Sequence, residues 1–266
     1  MKCIKTITGA LLTLLLLASC GSVPLTGRRQ ILLVSDAELL AASLTQYEAY
    51  MKTATKSTDR TKSAMVERVG RRIATATEDH LRQNGGEKEI DNFKWEFNLI
   101  RDDAVNAFCM PGGKIVVFEG LLPLVSSEDE LAVVIGHEIA HAVAKHSNER
   151  MSQEILAQYG AAFVDLALSS QTAVLQQIGS SVFGLGAQLG VMLPYSRTHE
   201  YEADKIGLIL MTVAGFEPGS ALTFWQKMSD LSGNSNSSDF MSTHPSDSKR
   251  IAEIQKLLPQ MEKYKR

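Results

Sequence analysis

Residues 131–143 read Leu-Ala-Val-Val-Ile-Gly-His-Glu-Ile-Ala-His-Ala-Val, and this stretch leaves the chain few choices. An apolar run of this length is a buried helix, and on a helix residues four apart lie on one face. His137 and His141 therefore point to the same place, with Glu138 at the edge of that face. Two imidazoles and a carboxylate buried without partners would cost several kcal/mol. A cation removes that cost. The pattern predicts a metal-binding helix in which both histidines are ligands and Glu138 takes a proton from water polarised by the ion.

Zinc held by two histidines needs a third protein ligand and an open fourth position to do chemistry. The candidates lie in Ser196-Arg-Thr-His-Glu-Tyr-Glu-Ala-Asp-Lys-Ile-Gly207, after Pro194. Glu200 and Asp204 are four apart and share a helix face, which Leu208 extends into the core. His199 and Glu202 point elsewhere and read as surface residues. Glu200 is assigned as the third ligand. Asp204 is assigned to the other ring nitrogen of a ligand histidine, fixing its orientation.

These motifs, with the upstream Asn106-Ala-Phe-x-x-Pro-Gly-Gly113, resemble the zinc metallopeptidase family of the CAAX prenyl proteases and bacterial heat-shock membrane proteases. More closely, the chain resembles that family's small secreted lipoprotein branch, involved in outer-membrane protein quality control. The similarity runs from about Asp36 to the end. It implies one Zn2+ per chain on His137, His141 and Glu200, with Glu138 as general base. The implied fold is α+β and mainly helical, a zincin-type metallopeptidase (gluzincin) fold with a small β-sheet beside the metal-binding helix.

The tail segment Ser242-Thr-His-Pro-Ser-Asp-Ser-Lys-Arg-Ile251 resembles the family's His-Pro segment with a downstream arginine. His244 has three readings: a fourth zinc ligand that closes the resting site, a donor to the transition-state oxyanion, or a histidine with structural duty alone. The resemblance favours a place near the metal. Arg250 reads either as a group for a substrate carbonyl or as an ion-pair partner of Asp204.

At the other end, Met1-Lys-Cys-Ile-Lys5 leads into an apolar run to Leu17, followed by Ala18-Ser19-Cys20-Gly21. A basic start, a short apolar core and small residues form a secretory signal, and Leu17-Ala-Ser-Cys20 resembles the bacterial lipobox. Residues 1–19 are expected to be a lipoprotein-type signal, 20–35 a lipidated tether carrying acyl chains on Cys20, and 36–266 a single metallopeptidase domain. Gly21 is not the aspartate associated with inner-membrane retention, which points to the outer membrane, facing the periplasm. Loss of Cys3 with the signal and acylation of Cys20 leave Cys109 alone, a small apolar core residue. Lys2 and Lys5 leave with the signal, so 25 basic residues face 30 acidic ones; that balance argues against nucleic acid as a partner.

Between signal and site the sequence predicts helices over Asp36–Thr55 and Asp59–Asn84, the second stopped by Gly85-Gly86. Phe93, Trp95, Phe97 and Leu99 alternate as in a half-buried strand, and Lys114–Phe118 is a second strand, either an edge able to pair with a peptide or an internal strand. A final helix is expected over Asp247–Leu258. His80 and His146 sit among charged residues and read as solvated. Between Leu166 and Ser196 there is no Asp, Glu, Lys or Arg, and the segment reads as a buried pair of helices shielding the site in preference to a membrane-contacting or substrate-gating hairpin.

The expectation is a membrane-anchored zinc endopeptidase that hydrolyses misfolded or unassembled cell-envelope proteins. Its partners would be polypeptide substrates, the membrane through acylated Cys20, and outer-membrane assembly machinery. The alternative is a chaperone or assembly factor whose zinc site is latched or vestigial.

Overall fold

The computed structural model describes residues 20–168, 195–233, 240, 243–244 and 248–265. The elements follow from local signals. Ser35 and Glu38 form a reciprocal capping box at the start of α1 (Asp36–Thr53). The Asp59 carboxylate accepts from the Lys62 N–H at 3.0 Å to open α2 (Arg60–Gln83). Gly85, at φ +78°, then turns the chain out of the helix as expected. A short helix α3 (Glu87–Ile90) leads into the sheet.

The sheet has three strands, β3 (Glu96–Ile100), β4 (Ala107–Met110) and β5 (Lys114–Phe118), in the order β3-β5-β4. β3 runs parallel to β5, and β4 runs antiparallel to it with Cys109 opposite Ile115. Lys114–Phe118 is therefore the central strand, paired on both sides, and the edge reading of that segment fails. Its Ile115-Val116-Val117 is fully buried, as a strand covered on both faces should be. The Gly-Gly turn before it closes a hairpin with β4 instead of ending the sheet. Among the described residues β4 pairs with β5 alone, so β4 is the edge beside the metal helix.

A 3-10 turn (Glu119–Leu124) delivers the chain to α4 (Glu128–Val143), capped by Ser127, whose hydroxyl accepts from the Glu130 N–H at 3.2 Å. Asp129 and Glu130 place negative charge on that N-terminus. α5 (His146–Leu168), α6 (Arg197–Val213), α7 (Ser220–Gly233), α8 (Ser248–Leu257) and a last 3-10 segment (Leu258–Tyr264) follow. α4 and α6 pack against each other more extensively than any other pair of helices. The main core joins α2, the inner sheet face, α4, α6 and α7, with Val69, Ile73, Leu131, Ile135, Ile209 and Phe224 inside. The chain is mainly helical with small sheets, as the sequence predicts.

Within the 20–35 segment, β1 (Cys20–Ser22) and β2 (Arg29–Ile31) form an antiparallel hairpin. It is tied to α5, where Leu33 N–H donates to Ser152 Oγ at 2.8 Å and Asn148 Nδ2 donates to the Val34 carbonyl at 2.9 Å. Among the described residues no helix is long and apolar enough to cross a membrane. The signal expected over 1–19 and nearly all of the uncharged 166–196 stretch lie outside the described residues.

Candidate metal centre

α4 carries His137, Glu138 and His141 on its inner face, and α6 brings Glu200 against them. Ser196 starts α6 by accepting from the His199 N–H. The helices meet through glycines: a Cβ on Gly136 would lie 3.1 Å from the Gly207 carbonyl oxygen, and one on Gly207 would lie 3.0 Å from the Gly136 carbonyl carbon. A side chain at either position would press on backbone and push the helices apart by a few tenths of an ångström.

His137 Nε2 lies 3.0 Å from His141 Nε2, 3.2 Å from His244 Nδ1 and 3.4 Å from Glu200 Oε2. Glu200 Oε1 lies 3.4 Å from His141 Nε2 and 3.1 Å from His244 Nδ1. All four residues are buried, and one donor atom from each lies within 4.8 Å of every other. Ligands about 2.0–2.1 Å from a tetrahedral zinc are about 3.3 Å apart. The observed separations fit that figure. Three imidazole nitrogens and a carboxylate converge where their lone pairs would repel one another, and a cation is what such a donor set accommodates. Beside it, Glu138 Oε1 is buried without a hydrogen-bond partner and 3.4 Å from His244 Nε2. The residues present fit zinc.

Burial raises the Glu138 carboxyl to about 7, despite the opposing influence of His244. That brings it near neutrality, where a carboxylate exchanges protons most readily. Burial alone would also raise Glu200, but Arg250, His244 and His137 together hold it well below the ordinary carboxylate range. Glu200 is thus an anion at the centre of the cluster. Burial pushes the Cys109 thiol up, in keeping with an inert core cysteine.

The histidine ring atoms facing away from the cluster are held in two ways. His137 Nδ1 lies 3.1 Å from Asp204 Oδ1, the partner predicted for a ligand histidine. Arg250 donates to the same carboxylate through Nε at 2.5 Å and Nη2 at 2.9 Å, and its Nη1 lies 2.7 Å from Glu200 Oε2. Its guanidinium also stacks over Trp225 at 3.8 Å. Arg250 is buried, and of its two readings the ion pair with Asp204 is present, joined by one with Glu200.

His141 is held differently. Its Nδ1 lies 2.9 Å from His146 Nδ1, and His146 Nε2 lies 3.0 Å from Glu202 Oε2. His199 Nε2 lies 3.0 Å from Glu149 Oε2. The expectation that His146, His199 and Glu202 are solvated fails: they are 0, 2 and 7% exposed. The physical reason is the turn between helices. Lys145 adopts φ +56° and ends α4, which folds His146 back beneath His141. A reading by spacing along one helix misses that reversal. His199 and Glu202 are buried because α5 and the N-terminal hairpin cover their side of α6. Tyr195, also unforeseen, stacks on His141 at 3.9 Å between ring centroids.

Comparison with known proteins agrees with this geometry. The model of peptidase family M48 matches residues 60–258. The chain is 40% identical over 179 residues to the mitochondrial metalloendopeptidase OMA1 of Schizosaccharomyces pombe, covering 64% of this chain and 49% of that protein. It is 31% identical over 249 residues to the human mitochondrial metalloendopeptidase OMA1, covering 89% and 45%. It is 30% identical over 173 residues to the beta-barrel assembly-enhancing protease of Escherichia coli, covering 63% and 35%. The chain thus spans about half or less of the length of these curated relatives.

Proposed function

The chain belongs to peptidase family M48, and from that premise we propose that it is a zinc endopeptidase of the bacterial cell envelope, anchored as a lipoprotein. The observation that carries the reading is the convergence of His137, His141, Glu200 and His244 beside the unpartnered carboxylate oxygen of Glu138. His137, His141 and Glu200 would hold the zinc. When bound, the ion supplies Lewis-acid polarisation of the scissile carbonyl and lowers the pKa of water towards neutrality.

The protein groups do the rest. Glu138 Oε1 takes the proton from the attacking water and returns it to the leaving amine. The Cys109 backbone N–H beside the same carboxylate opposes the rise that burial imposes on it. Asp204, clamped by Arg250, fixes the His137 ring. An extended substrate would pair with β4, the sheet edge beside α4.

His244 supplies a fourth donor, and a catalytic zinc keeps one position open. Its Nδ1 among the other ligand atoms favours the latch role for His244: the resting site is closed, and His244 withdraws for catalysis. The same closure is what the rival reading, a chaperone with a latched or vestigial zinc site, would use. The two part on Glu138, which only a peptidase needs.

The lipobox-like Leu17-Ala-Ser-Cys20 supports acylation of Cys20 and an outer-membrane, periplasm-facing location. The name of the Escherichia coli relative, an assembly-enhancing protease for beta-barrels, supports misfolded or unassembled envelope proteins as substrates. Removal of metal with a chelator is expected to abolish cleavage of unfolded casein, and zinc to restore it. Cleavage indifferent to both would sink the zinc assignment. Palmitate labelling lost in Cys20→Ala supports the anchor, and labelling that persists refutes it.

A further inference from the structure

Two ligand histidines sit on one helix, yet only His137 has a carboxylate on its outer nitrogen. His141 reaches a carboxylate through a second imidazole, His146, and that carboxylate, Glu202, is held by the segment that follows Cys20. Arg28 Nε donates to Glu202 Oε2 at 2.7 Å, and the Thr26 hydroxyl hydrogen-bonds Glu202 Oε1. The other arm of the same guanidinium grips Glu149, with Nη1 to Oε1 at 2.8 Å and Nη2 to Oε2 at 2.5 Å. Arg28 thus bridges α5 and α6 from the turn between β1 and β2.

We propose that His146 and Glu202 are positioning residues for the ligand His141, and that Arg28 holds this relay in register, so that docking of the N-terminal hairpin tunes how tightly the site retains its metal. The inference rests on the zinc reading above. His141 presents Nε2 to the other ligands, so its proton lies on Nδ1. That N–H can donate only if His146 Nδ1 is a bare acceptor, which puts the proton of His146 on Nε2, facing Glu202. The carboxylate sets the tautomer of His146, and His146 sets that of His141, so each link orients the next. Without a partner on Nδ1, a ligand imidazole is free to rotate and to take the wrong tautomer, and loss of such outer partners weakens metal binding by about 10- to 100-fold.

The relay also explains a cost that packing alone does not. The Glu202 carboxylate and a polar imidazole are buried beside the centre, and Arg28 supplies the compensating charge from a segment that precedes the catalytic domain in sequence. A domain with the hairpin detached leaves Glu202 without its compensating cation, with His146 as its remaining partner among the described residues, and the His141 orientation less firmly held. In the anchored protein, the stretch next to the membrane is therefore mechanically continuous with a metal ligand.

The test uses the full chain, wild type against His146→Ala, His146→Asn and Arg28→Ala. Zinc affinity is measured by chelator competition, and the visible spectrum is recorded after cobalt(II) substitution. His146→Ala is expected to lose about 10- to 100-fold in affinity and to shift the cobalt bands. His146→Asn, which offers a carbonyl oxygen near the position of Nδ1, is expected to recover most of the wild-type spectrum. Arg28→Ala is expected to change affinity in the same direction while the metal-free protein still melts cooperatively. Wild-type affinity and an unchanged spectrum in His146→Ala or Arg28→Ala would overturn the proposal, even if thermal stability fell. Should His146→Ala fail to fold, Arg28→Ala and His146→Asn decide by the same readouts. A wild-type chain that binds no metal would fail the zinc reading itself and the relay with it, whereas normal binding across the variants would remove only the relay.

Discussion

Gly136 and Gly207 face each other across the crossing of α4 and α6, and a Cβ on either would lie 3.0–3.1 Å from the other's backbone. This contact sets the distance between the helix that carries His137 and His141 and the helix that carries Glu200. A methyl group on Gly207 would meet Gly136 and His137 backbone atoms at 3.0 Å, and backbone cannot swing aside as a side chain can. Gly207→Ala is therefore expected to destabilise the fold by about 1–3 kcal/mol and to weaken zinc binding with it. Denaturant unfolding and metal titration of the same sample would check both.

Arg250 pairs with two buried carboxylates at once, Asp204 and Glu200. Replacing it with leucine leaves Asp204 and Glu200 without their buried cation, a change that costs about 3–5 kcal/mol. Zinc shares the Glu200 charge, so the deficit should be largest in metal-free protein and smaller when zinc is present. Paired denaturation curves with and without metal would show the gap close; an equal loss in both states would contradict this account of Arg250.

His244→Ala is expected to raise peptidase activity, because it removes the fourth donor. A latch closed about 90% of the time predicts a gain of up to about tenfold. Initial rates on casein at saturating zinc measure it. A fall would favour the oxyanion role instead, and no change would reduce His244 to structure.

Acid sensitivity should depend on Glu149. Burial alone would raise its carboxyl, but hydrogen bonds and charge from Arg28 and His199 bring it down to about 2. A carboxyl lowered on folding adds stability above its unfolded value, near 4.5, and loses it as pH falls from there towards 2. Glu149→Gln is expected to be less stable than wild type at pH 7 and to decline less steeply below about pH 4.5. Melting temperatures across pH 7 to 3 would reveal the two slopes, and parallel curves would count against the role of Glu149.

Much of the centre was legible because its signals are local. The four-residue spacing of His137 and His141, and of Glu200 and Asp204, survives into the structure since each pair lies on one unbroken helix. Helix starts at Ser35, Asp59 and Ser127 carry their caps in sequence. What the sequence concealed depends on contacts between distant segments. His146 looks solvated beside Lys145 and Glu149 until the turn at Lys145 reverses its direction. Arg28 reads as part of a tether until its partners, 121 and 174 residues away, are known. The status of Lys114–Phe118 turned on whether Ala107–Met110 paired with it, which alternation within one strand cannot report.

The central claim is that Glu138 is the proton-transferring group of a zinc peptidase. It is tested most directly by cleavage of unfolded casein with the full chain, wild type against Glu138→Gln, after each has been shown to hold one zinc. Cleavage by the wild type is expected, with a loss of at least about 100-fold in the variant and zinc content unchanged. Equal cleavage by both proteins would contradict the claim.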